Sequence, residues 1–288
     1  MEASPDVGDH WRKFAYLWSL LGSPLRPCAE DVEIFGELVA DTGLIGNAWE
    51  KQSWLLGITP ELATAPWLRA FGLIAVERSR AMIDGVWPGN NDHRKAVCAD
   101  WSRAPFSDES FDLAISDGCM TSVGFPDELA RLLASVHRCM RRDGYLMLRL
   151  FCRPDVPESP EAVLAALRSG AIGNFHAFKW RLAMAIQGMA DGFDVAVDQV
   201  WKVWNATDID TDKLAKERGW PPGQVSTIES YRGSTARYNF MRFGATIGRL
   251  QEAGFELVAK RTGSYELAER CPIVLLRKCS PEEGAGTP

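Results

Sequence analysis

Residues 95–117 read KAVCADWSRAPFSDESFDLAISD, and this stretch decides the fold. It holds two short, largely apolar runs at residues 95–98 and 111–116, and acidic residues, Asp100 and Asp117, come just after them. Short apolar runs bounded by turn-forming residues are typical of strands buried on both faces of a sheet. The stretch therefore predicts two buried strands with acidic side chains at their carboxyl ends.

The same pattern continues on both sides of this stretch. Apolar runs at residues 53–56 and 72–76 precede it, and runs at 145–150, 255–261 and 273–277 follow it. Between these runs, residues 78–86, 127–140 and 243–253 have the pattern of helices. Strands that alternate with helices form parallel sheets through right-handed crossovers. We therefore predict an α/β fold with a mostly parallel sheet and helices on both faces.

Two other parts of the chain lack this alternation and predict a cap. Residues 1–51 are rich in aromatic residues and predict an N-terminal helical cap. Residues 153–240 predict a mainly helical insertion that acts as a substrate lid, with a helix start at Ser159 and apolar stretches at 175–189 and 195–204. Residues 52–152 and 241–280 then form the core domain.

The composition argues against several classes of protein. The chain has 288 residues and a formal net charge of −6, whereas non-specific nucleic-acid binding needs an excess of Lys and Arg. The apolar stretch at 14–21 is shorter than the roughly 20 residues that span a bilayer, and the N-terminus lacks the basic region of a secretory signal. The seven cysteines form no CxxC pair, so no metal site is predicted. We expect a cytoplasmic protein without nucleic-acid or membrane partners.

The ends of the predicted strands carry the residues that bear on function. Open parallel sheets bind ligands beyond the carboxyl ends of their strands. Glu77 follows the second strand, about twenty residues after Gly57, which is the spacing of a carboxylate that accepts ribose hydroxyls. Asp100 and Trp101 follow the third strand. Asp100 can accept a hydrogen bond from an exocyclic amine and Trp101 offers an aromatic plane, the two features that adenine binding requires. Asp117 after the fourth strand can hold an ammonium group.

Four segments in this order resemble the class I, Rossmann-like S-adenosylmethionine-dependent methyltransferases. They are VERSRAMI at 76–83, CADWSRAPFSDESFDL at 98–113, HRCMRRDGYLML at 137–148 and LQEAGFE at 250–256. The resemblance covers residues 53–151 and 243–278, about half of the chain. Each segment alone is a weak signal, but the four in the right order are a strong one.

The resemblance implies a seven-stranded Rossmann-like sheet, S-adenosyl-L-methionine as the cofactor and a set of residues that bind it. Glu77 would hold the ribose, Asp100 the adenine amine, and Trp101 and Met82 would lie against the adenine ring. Asp117 and Gly118 would lie near the methionine moiety. The full set of implied cofactor-binding residues is Gly57, Thr59, Pro60, Glu77, Arg78, Met82, Asp100, Trp101, Asp117 and Gly118.

The first loop departs from the family's pattern of an acid followed by three spaced glycines. Leu55 stands at the acid position and only Gly57 remains of the glycines, with Thr59 and Glu61 at the later positions. Because glycine permits positive φ and close backbone approach, the change either reshapes the pocket or abolishes cofactor binding. Thr59 could donate its hydroxyl to the methionine carboxylate, and Pro60 suits a first helical turn.

Candidates for catalysis and acceptor binding are less specific. Methyl transfer depends mainly on alignment and has no invariant catalytic residue, so the candidate bases are Asp117, His176 and Tyr231. The large aromatic cap predicts a small, flat or apolar acceptor. Aromatic side chains at helical spacing are nevertheless more often core residues. The candidate substrate-binding residues are Trp11, Tyr16, Trp18, Tyr231, Arg232 and Tyr238.

Two other functions fit parts of the sequence. A non-catalytic protein that senses the cofactor or scaffolds a partner would explain the divergent first loop. A nicotinamide-dependent oxidoreductase is disfavoured because the GxGxxG loop is absent and Asp100 and Trp101 have no role in it. The sequence leaves a homodimer open.

Overall fold

A computed structural model describes residues 7–45, 51–190, 192–221 and 223–279 of the chain. Its main feature is a seven-stranded sheet in the order β3-β2-β1-β4-β5-β9-β8. Strands β1 to β5 pair in parallel, and β9 runs antiparallel between β5 and β8. The strands of this sheet are β1 Gln52–Leu56, β2 Gly72–Glu77, β3 Arg94–Cys98, β4 Phe111–Asp117, β5 Met140–Arg149, β8 Phe255–Arg261 and β9 Ile273–Lys278.

The seven predicted strands are present, and the predicted α/β fold is confirmed. The largest difference is in β5, which begins at Met140 instead of residue 145. Met140 pairs with Phe111, and the register then shifts before Leu113 pairs with Tyr145. The early part of β5 is thus a polar bulged segment that an apolar pattern does not reveal.

Helices cover both faces of the sheet and form the cap. The helix predicted at 175–189 has those bounds, and the helix predicted after Ser159 is capped by the Ser159 hydroxyl, which accepts the Ala162 N–H at 3.2 Å. The helices are α1 Val7–Leu17, α2 Ala29–Asp41, α3 Pro60–Ala63, α4 Arg80–Val86, α5 Asp127–Cys139, α6 Pro160–Ser169, α7 Phe175–Met189, α8 Val197–Asn205, α9 Thr211–Arg218 and α10 Phe243–Glu252.

The segment predicted as one stretch at 195–204 is divided in the structure. Its first two residues form strand β6 (Val195–Ala196), which pairs antiparallel with β7 (Arg237–Tyr238), and α8 begins only at Val197. The insertion therefore contains a small two-stranded sheet in addition to its helices. This pairing brings Tyr238, at the end of the insertion, beside the start of α8.

The two faces of the sheet pack against different layers. Leu55 and Leu113 point to a core shared with Phe35 of α2 and Phe178 of α7. The opposite face packs on α5 and α10, with side chains such as Trp54 buried there. The N-terminal helices and the insertion therefore cover the same face of the sheet. Within the described ranges, no helix is both long and apolar enough to cross a bilayer.

Candidate functional site

A cavity of about 720 Å³, including its mouth, lies beyond the carboxyl ends of the central strands. It sits where the strand order reverses between β1 and β4, the usual place for a ligand in an open α/β sheet. Residues at the ends of β1, β2, β3 and β4 form one part of its lining, and aromatic residues, most of them in the cap, form the other. The sheet-side residues include Gly57, Thr59, Glu77, Met82, Trp101, Asp117 and Gly118, and the aromatic ones are Trp11, Phe14, Trp18, Phe151, Trp180 and Tyr238.

The first loop presents bare backbone to an aromatic ring. Gly57 has φ +101°, a conformation that favours glycine, and its N–H donates to the Val76 carbonyl at 2.8 Å. The Trp101 indole N–H donates to the same carbonyl at 2.5 Å, which fixes the ring. A Cβ built on Gly57 would lie 4.0 Å from Trp101 Cζ2. The retained glycine and the indole therefore form one side of a slot.

Glu77 lies at the end of β2 and is almost fully buried (8% of the residue is exposed). Its Oε1 accepts the Ser79 N–H at 2.7 Å. Burial raises the pKa of Glu77, and the backbone hydrogen bond from Ser79 opposes this. Ser79 in turn caps α4 by accepting the Met82 N–H at 3.4 Å, which places Met82 in the cavity wall. The carboxylate is thus held in one orientation at the cavity.

Three of the predicted cofactor-binding residues do not line the cavity. Asp100 is exposed, and its Oδ1 accepts the Ser102 N–H at 2.8 Å as the cap of a short 3-10 helix, Trp101–Arg103. Pro60 is the first residue of α3. Arg78 is exposed and lines a neighbouring surface hollow. The remaining seven predicted cofactor-binding residues come together in the cavity lining.

Asp117 lines the cavity but is not a free carboxylate. Its Oδ1 accepts from Arg149 Nε at 2.7 Å, and Arg149 Nη1 donates to Asp31 Oδ2 at 3.1 Å. Tyr265 donates its hydroxyl to the other oxygen of Asp31 at 2.9 Å. Burial raises the pKa of Asp117, and Arg149 opposes this. The predicted ammonium-binding and basic roles of Asp117 are therefore limited by an ion pair that the sequence analysis missed.

A charged residue within the apolar run of β5 was the signal that could have found this cluster. Arg149 is fully buried (0% exposed), and an arginine is rarely buried without a partner. The partner Asp31 lies 118 positions away in α2, so no local pattern indicates it.

The divergent residues of the first loop contact the cap. Glu61 accepts a hydrogen bond from Arg26 Nε, and Arg26 Nη1 donates to the Trp18 carbonyl at 3.1 Å. The Arg26 guanidinium also lies 5.3 Å from the centre of the Trp18 ring. Leu55, at the position of the family's acid, is a core residue with no exposed surface. The loop thus exchanges two glycines for a contact that fixes an aromatic wall residue.

The structure brings only some of the predicted substrate-binding residues to the cavity. Trp11, Trp18 and Tyr238 line it, whereas Tyr16 is 87% exposed. Arg232 is exposed and lies 5.1 Å from the ring centre of Trp201.

Three aromatic wall residues were not among the predicted substrate-binding residues: Phe14, Phe151 and Trp180. The rings of Phe151 and Trp180 are 5.1 Å apart, and Trp180 is again 5.1 Å from Tyr238. Phe151 lies two residues after β5, Trp180 in α7 and Tyr238 in β7, so these rings adjoin only in the folded chain.

The other two candidate bases, His176 and Tyr231, lie outside the cavity lining. His176 Nε2 donates to the Leu20 carbonyl at 3.1 Å, and burial, helped by Lys179, lowers the pKa of His176 to about 3. The imidazole is therefore neutral and joins α7 to the cap. Tyr231 is buried, and its hydroxyl has no hydrogen-bond partner among the described residues. Among these residues, moreover, no group of His, Cys, Asp or Glu side chains could hold a metal ion.

Comparison with known proteins identifies one family. Residues 56–148 match the sequence profile of the methyltransferase domain family. No curated protein matches the sequence significantly.

Solved structures share the fold at low sequence identity. The CcbJ methyltransferase from Streptomyces caelestis superposes with a TM-score of 0.56 at 12% identity, over 96% of this chain and 100% of that one. The [4+2]-cyclase SpnF gives 0.55 at 11% identity, over 97% and 98% of the chains. A Rhodobacter sphaeroides protein named as a zinc-dependent alcohol dehydrogenase gives 0.60 at 12% identity, over 97% and 100%. At these identities the likeness shows the fold alone.

Proposed function

We propose that the chain, whose residues 56–148 match the methyltransferase domain family, is a class I S-adenosylmethionine-dependent methyltransferase that acts on a small, largely apolar acceptor held by the aromatic wall of the cavity. The observation that carries the proposal is the division of the cavity into a part lined by strand ends and a part lined by aromatic rings. One part suits the cofactor and the other suits an acceptor.

The residues at the strand ends fit the cofactor. Glu77 presents a fixed carboxylate that can accept the ribose hydroxyl protons, and Trp101 and Met82 offer apolar surface to the adenine. Gly57 lets the backbone approach closely, and Thr59 adds a hydroxyl at the same loop. When bound, S-adenosylmethionine supplies an electrophilic methyl group on a sulfonium.

The wall of the cavity favours a neutral, flat acceptor. Six aromatic residues line it, and no Lys or Arg is present among the described residues that do. The charged side chains of the lining are the carboxylates Glu77 and Asp117. An anionic acceptor such as a phosphate ester would meet only like charge there, whereas an aromatic ring can stack and pack edge-on against the wall.

The chain contributes mainly orientation and exclusion of water. Holding two reactants in line can lower the barrier by roughly 7–11 kcal/mol. The buried rings of Phe151 and Trp180 and the Arg26–Glu61 contact fix the wall that does this. A wall that is rigid before the acceptor binds loses little entropy on binding.

Calorimetry and a methyl-transfer assay test the two parts of the proposal. We expect saturable binding of S-adenosylmethionine and S-adenosylhomocysteine and no comparable binding of ATP. With tritiated methyl donor, label should pass to members of a panel of naphthols, indoles and quinolines more than to their phosphorylated counterparts. Absence of binding of both ligands at millimolar concentration would overturn the cofactor assignment, and a preference for the phosphorylated compounds would overturn the acceptor class.

A substitution in the aromatic wall distinguishes acceptor binding from cofactor binding. Trp180→Leu removes aromatic surface without adding a polar group, so it should raise the KM of the acceptor and leave the affinity for S-adenosylhomocysteine within twofold. An equal loss of both would show that Trp180 supports the fold or the cofactor instead of the acceptor.

A further inference from the structure

We infer that Tyr238, His10 and Ser234 form a proton relay at the aromatic end of the cavity, so that the acceptor is methylated on an O–H or N–H group whose proton the relay accepts. The inference rests on the proposed function and names the chemical class of the acceptor. It uses a histidine that lies alone in the N-terminal helix and that the sequence analysis did not single out.

Three segments that are distant along the chain form the relay. Tyr238 of β7 lines the cavity, and its hydroxyl oxygen lies 3.0 Å from His10 Nε2. The other ring nitrogen, His10 Nδ1, lies 3.0 Å from Ser234 Oγ. All three side chains are at least nine-tenths buried, with exposed fractions of 4% for Tyr238, 1% for His10 and 8% for Ser234. The cavity is thus connected to an imidazole by a single phenol.

The hydrogen bonds are compatible with an imidazole that accepts a proton from the phenol. Ser234 Oγ already accepts the Ala236 N–H at 3.2 Å, and a hydroxyl oxygen has a second lone pair for a proton on His10 Nδ1. The Nδ1–H tautomer leaves Nε2 as the acceptor for the Tyr238 O–H. The rings of Trp11 and Phe14 pack beside the imidazole, with their centres 5.2 Å and 5.4 Å from its own.

The other titratable groups of the site are less suited to accept this proton. Burial raises the pKa of the Cys119 thiol in the lining to about 11, so this thiol stays protonated. Asp117 is paired with Arg149, and Glu77 lies among the residues assigned to the nucleoside. His176 lies outside the cavity lining. A second phenol, Tyr231, has its ring 6.4 Å from His10, but its hydroxyl is outside the relay and it does not line the cavity.

The relay balances the atoms and charges of methyl transfer. The acceptor's oxygen or nitrogen forms a bond to the methyl carbon while the carbon–sulfur bond breaks and its electron pair stays on sulfur. The acceptor's proton passes to Tyr238 Oη, and the proton of Tyr238 passes to His10 Nε2. One positive charge disappears from sulfur and one appears on the imidazole, so the buried site keeps its net charge through the reaction.

The tautomer of His10 tests the relay without an acceptor. The chain has four histidines, so long-range nitrogen–proton NMR spectra of the protein loaded with S-adenosylhomocysteine should resolve them, with His10→Asn to assign the signal. We expect a neutral Nδ1–H tautomer for His10 and, as an internal reference, a neutral Nε2–H tautomer for His176, which donates from Nε2. An Nε2–H tautomer or a charged imidazole at His10 at neutral pH would overturn the relay.

Kinetics with two matched acceptors then test the chemistry. With 1-naphthol as acceptor, Tyr238→Phe and His10→Asn should lower kcat by about 10²-fold or more, because a positioned base typically contributes 10²–10⁴-fold. With N,N-dimethyl-1-naphthylamine, which has no proton to lose, the same variants should stay within threefold of the wild type. Tyr231→Phe, which removes a neighbouring phenol hydroxyl outside the relay, is the control and should be neutral with both.

The outcomes separate the relay from the proposed function. If S-adenosylhomocysteine fails to bind, the proposed function fails. If it binds but the relay variants lower kcat equally for both acceptors, or for neither, the relay is wrong while the methyltransferase assignment stands.

Discussion

Replacing Glu77 by Gln should weaken the binding of S-adenosylhomocysteine and at the same time stabilise the free protein. The Ser79 N–H, which donates to Oε1, needs an acceptor in the variant as well. The amide oxygen of Gln will therefore take that position, and the amide NH₂ will face the cavity. The group that faces the ribose hydroxyls then donates hydrogen bonds instead of accepting them.

The size of the effect follows from the bonds that change. Oε1 keeps its partner in the variant, so the loss is confined to the oxygen that faces the ribose. A hydrogen bond to a charged group contributes ~1.5–3 kcal/mol. Since ~1.4 kcal/mol corresponds to a factor of ten, the Kd should rise about 10- to 150-fold.

The same substitution should increase the stability of the free protein. Burial raises the pKa of Glu77 above its ordinary 4.5, so its ionised form is less favourable in the folded protein than in the unfolded one. This raised pKa costs stability at neutral pH, where the carboxylate is charged, and Gln removes the cost. The variant should therefore unfold at a higher urea concentration than the wild type. The affinity of the wild type for S-adenosylhomocysteine should fall as the pH drops through the raised pKa of Glu77, and the affinity of the variant should not.

Isothermal titration calorimetry and urea unfolding measure these two quantities. Asp84→Asn is the matched control, since Asp84 is an exposed carboxylate of α4 that pairs with Arg80 at 3.0 Å. It should change the Kd by less than twofold. If Glu77→Gln behaves like this control in calorimetry, the carboxylate does not hold the ribose and the cofactor has been placed wrongly.

Three further changes probe the rest of the site and its support. Gly118→Ala should destabilise the protein and narrow the cavity, because φ is +72° and the new Cβ would lie 2.3 Å from the Phe151 ring. The drop in melting temperature should be larger than for Gly89→Ala, where φ is +93° but no atom lies within 4 Å of the new Cβ. Arg149→Met should cost ~3–5 kcal/mol in chemical denaturation, since it leaves two buried carboxylates without their cation, and an unchanged midpoint would contradict the structural role of the cluster. Burial lowers the pKa of Lys179 from 10.5 to about 7. Between these two pH values the unfolded chain binds more protons than the folded one, so the free energy of unfolding of the wild type should rise by up to ~1.4 kcal/mol per pH unit above pH 7. Lys179→Met should remove this pH dependence in urea unfolding at pH 7 and pH 9, and an identical dependence in both proteins would refute the assignment.

The sequence predicted the sheet well because buried strands have a local signature. Each strand contains a short apolar run, and the segments that resemble the family place the acid of β2 and Gly144 of β5 in a fixed order. Residues that follow a parallel strand lie beyond the carboxyl ends of the strands, whichever neighbours that strand has in the sheet. For this reason the sequence alone places Gly57, Glu77, Trp101 and Asp117 at one site, and all four line the cavity.

Pairing between distant segments decided the rest. We predicted that Asp117 holds an ammonium group, but its carboxylate pairs with Arg149, which also pairs with Asp31 of α2. We also predicted Tyr231 and His176 as candidate bases, whereas the fold turns both away from the cavity.

The phenol that the fold brings to the cavity is Tyr238, with its hydroxyl on His10, 228 residues earlier in the chain. Local pattern fixes which elements form, because periodicity is a property of neighbouring residues. Which side chains meet depends on how the cap and the insertion pack on the sheet, and only the tertiary structure decides that.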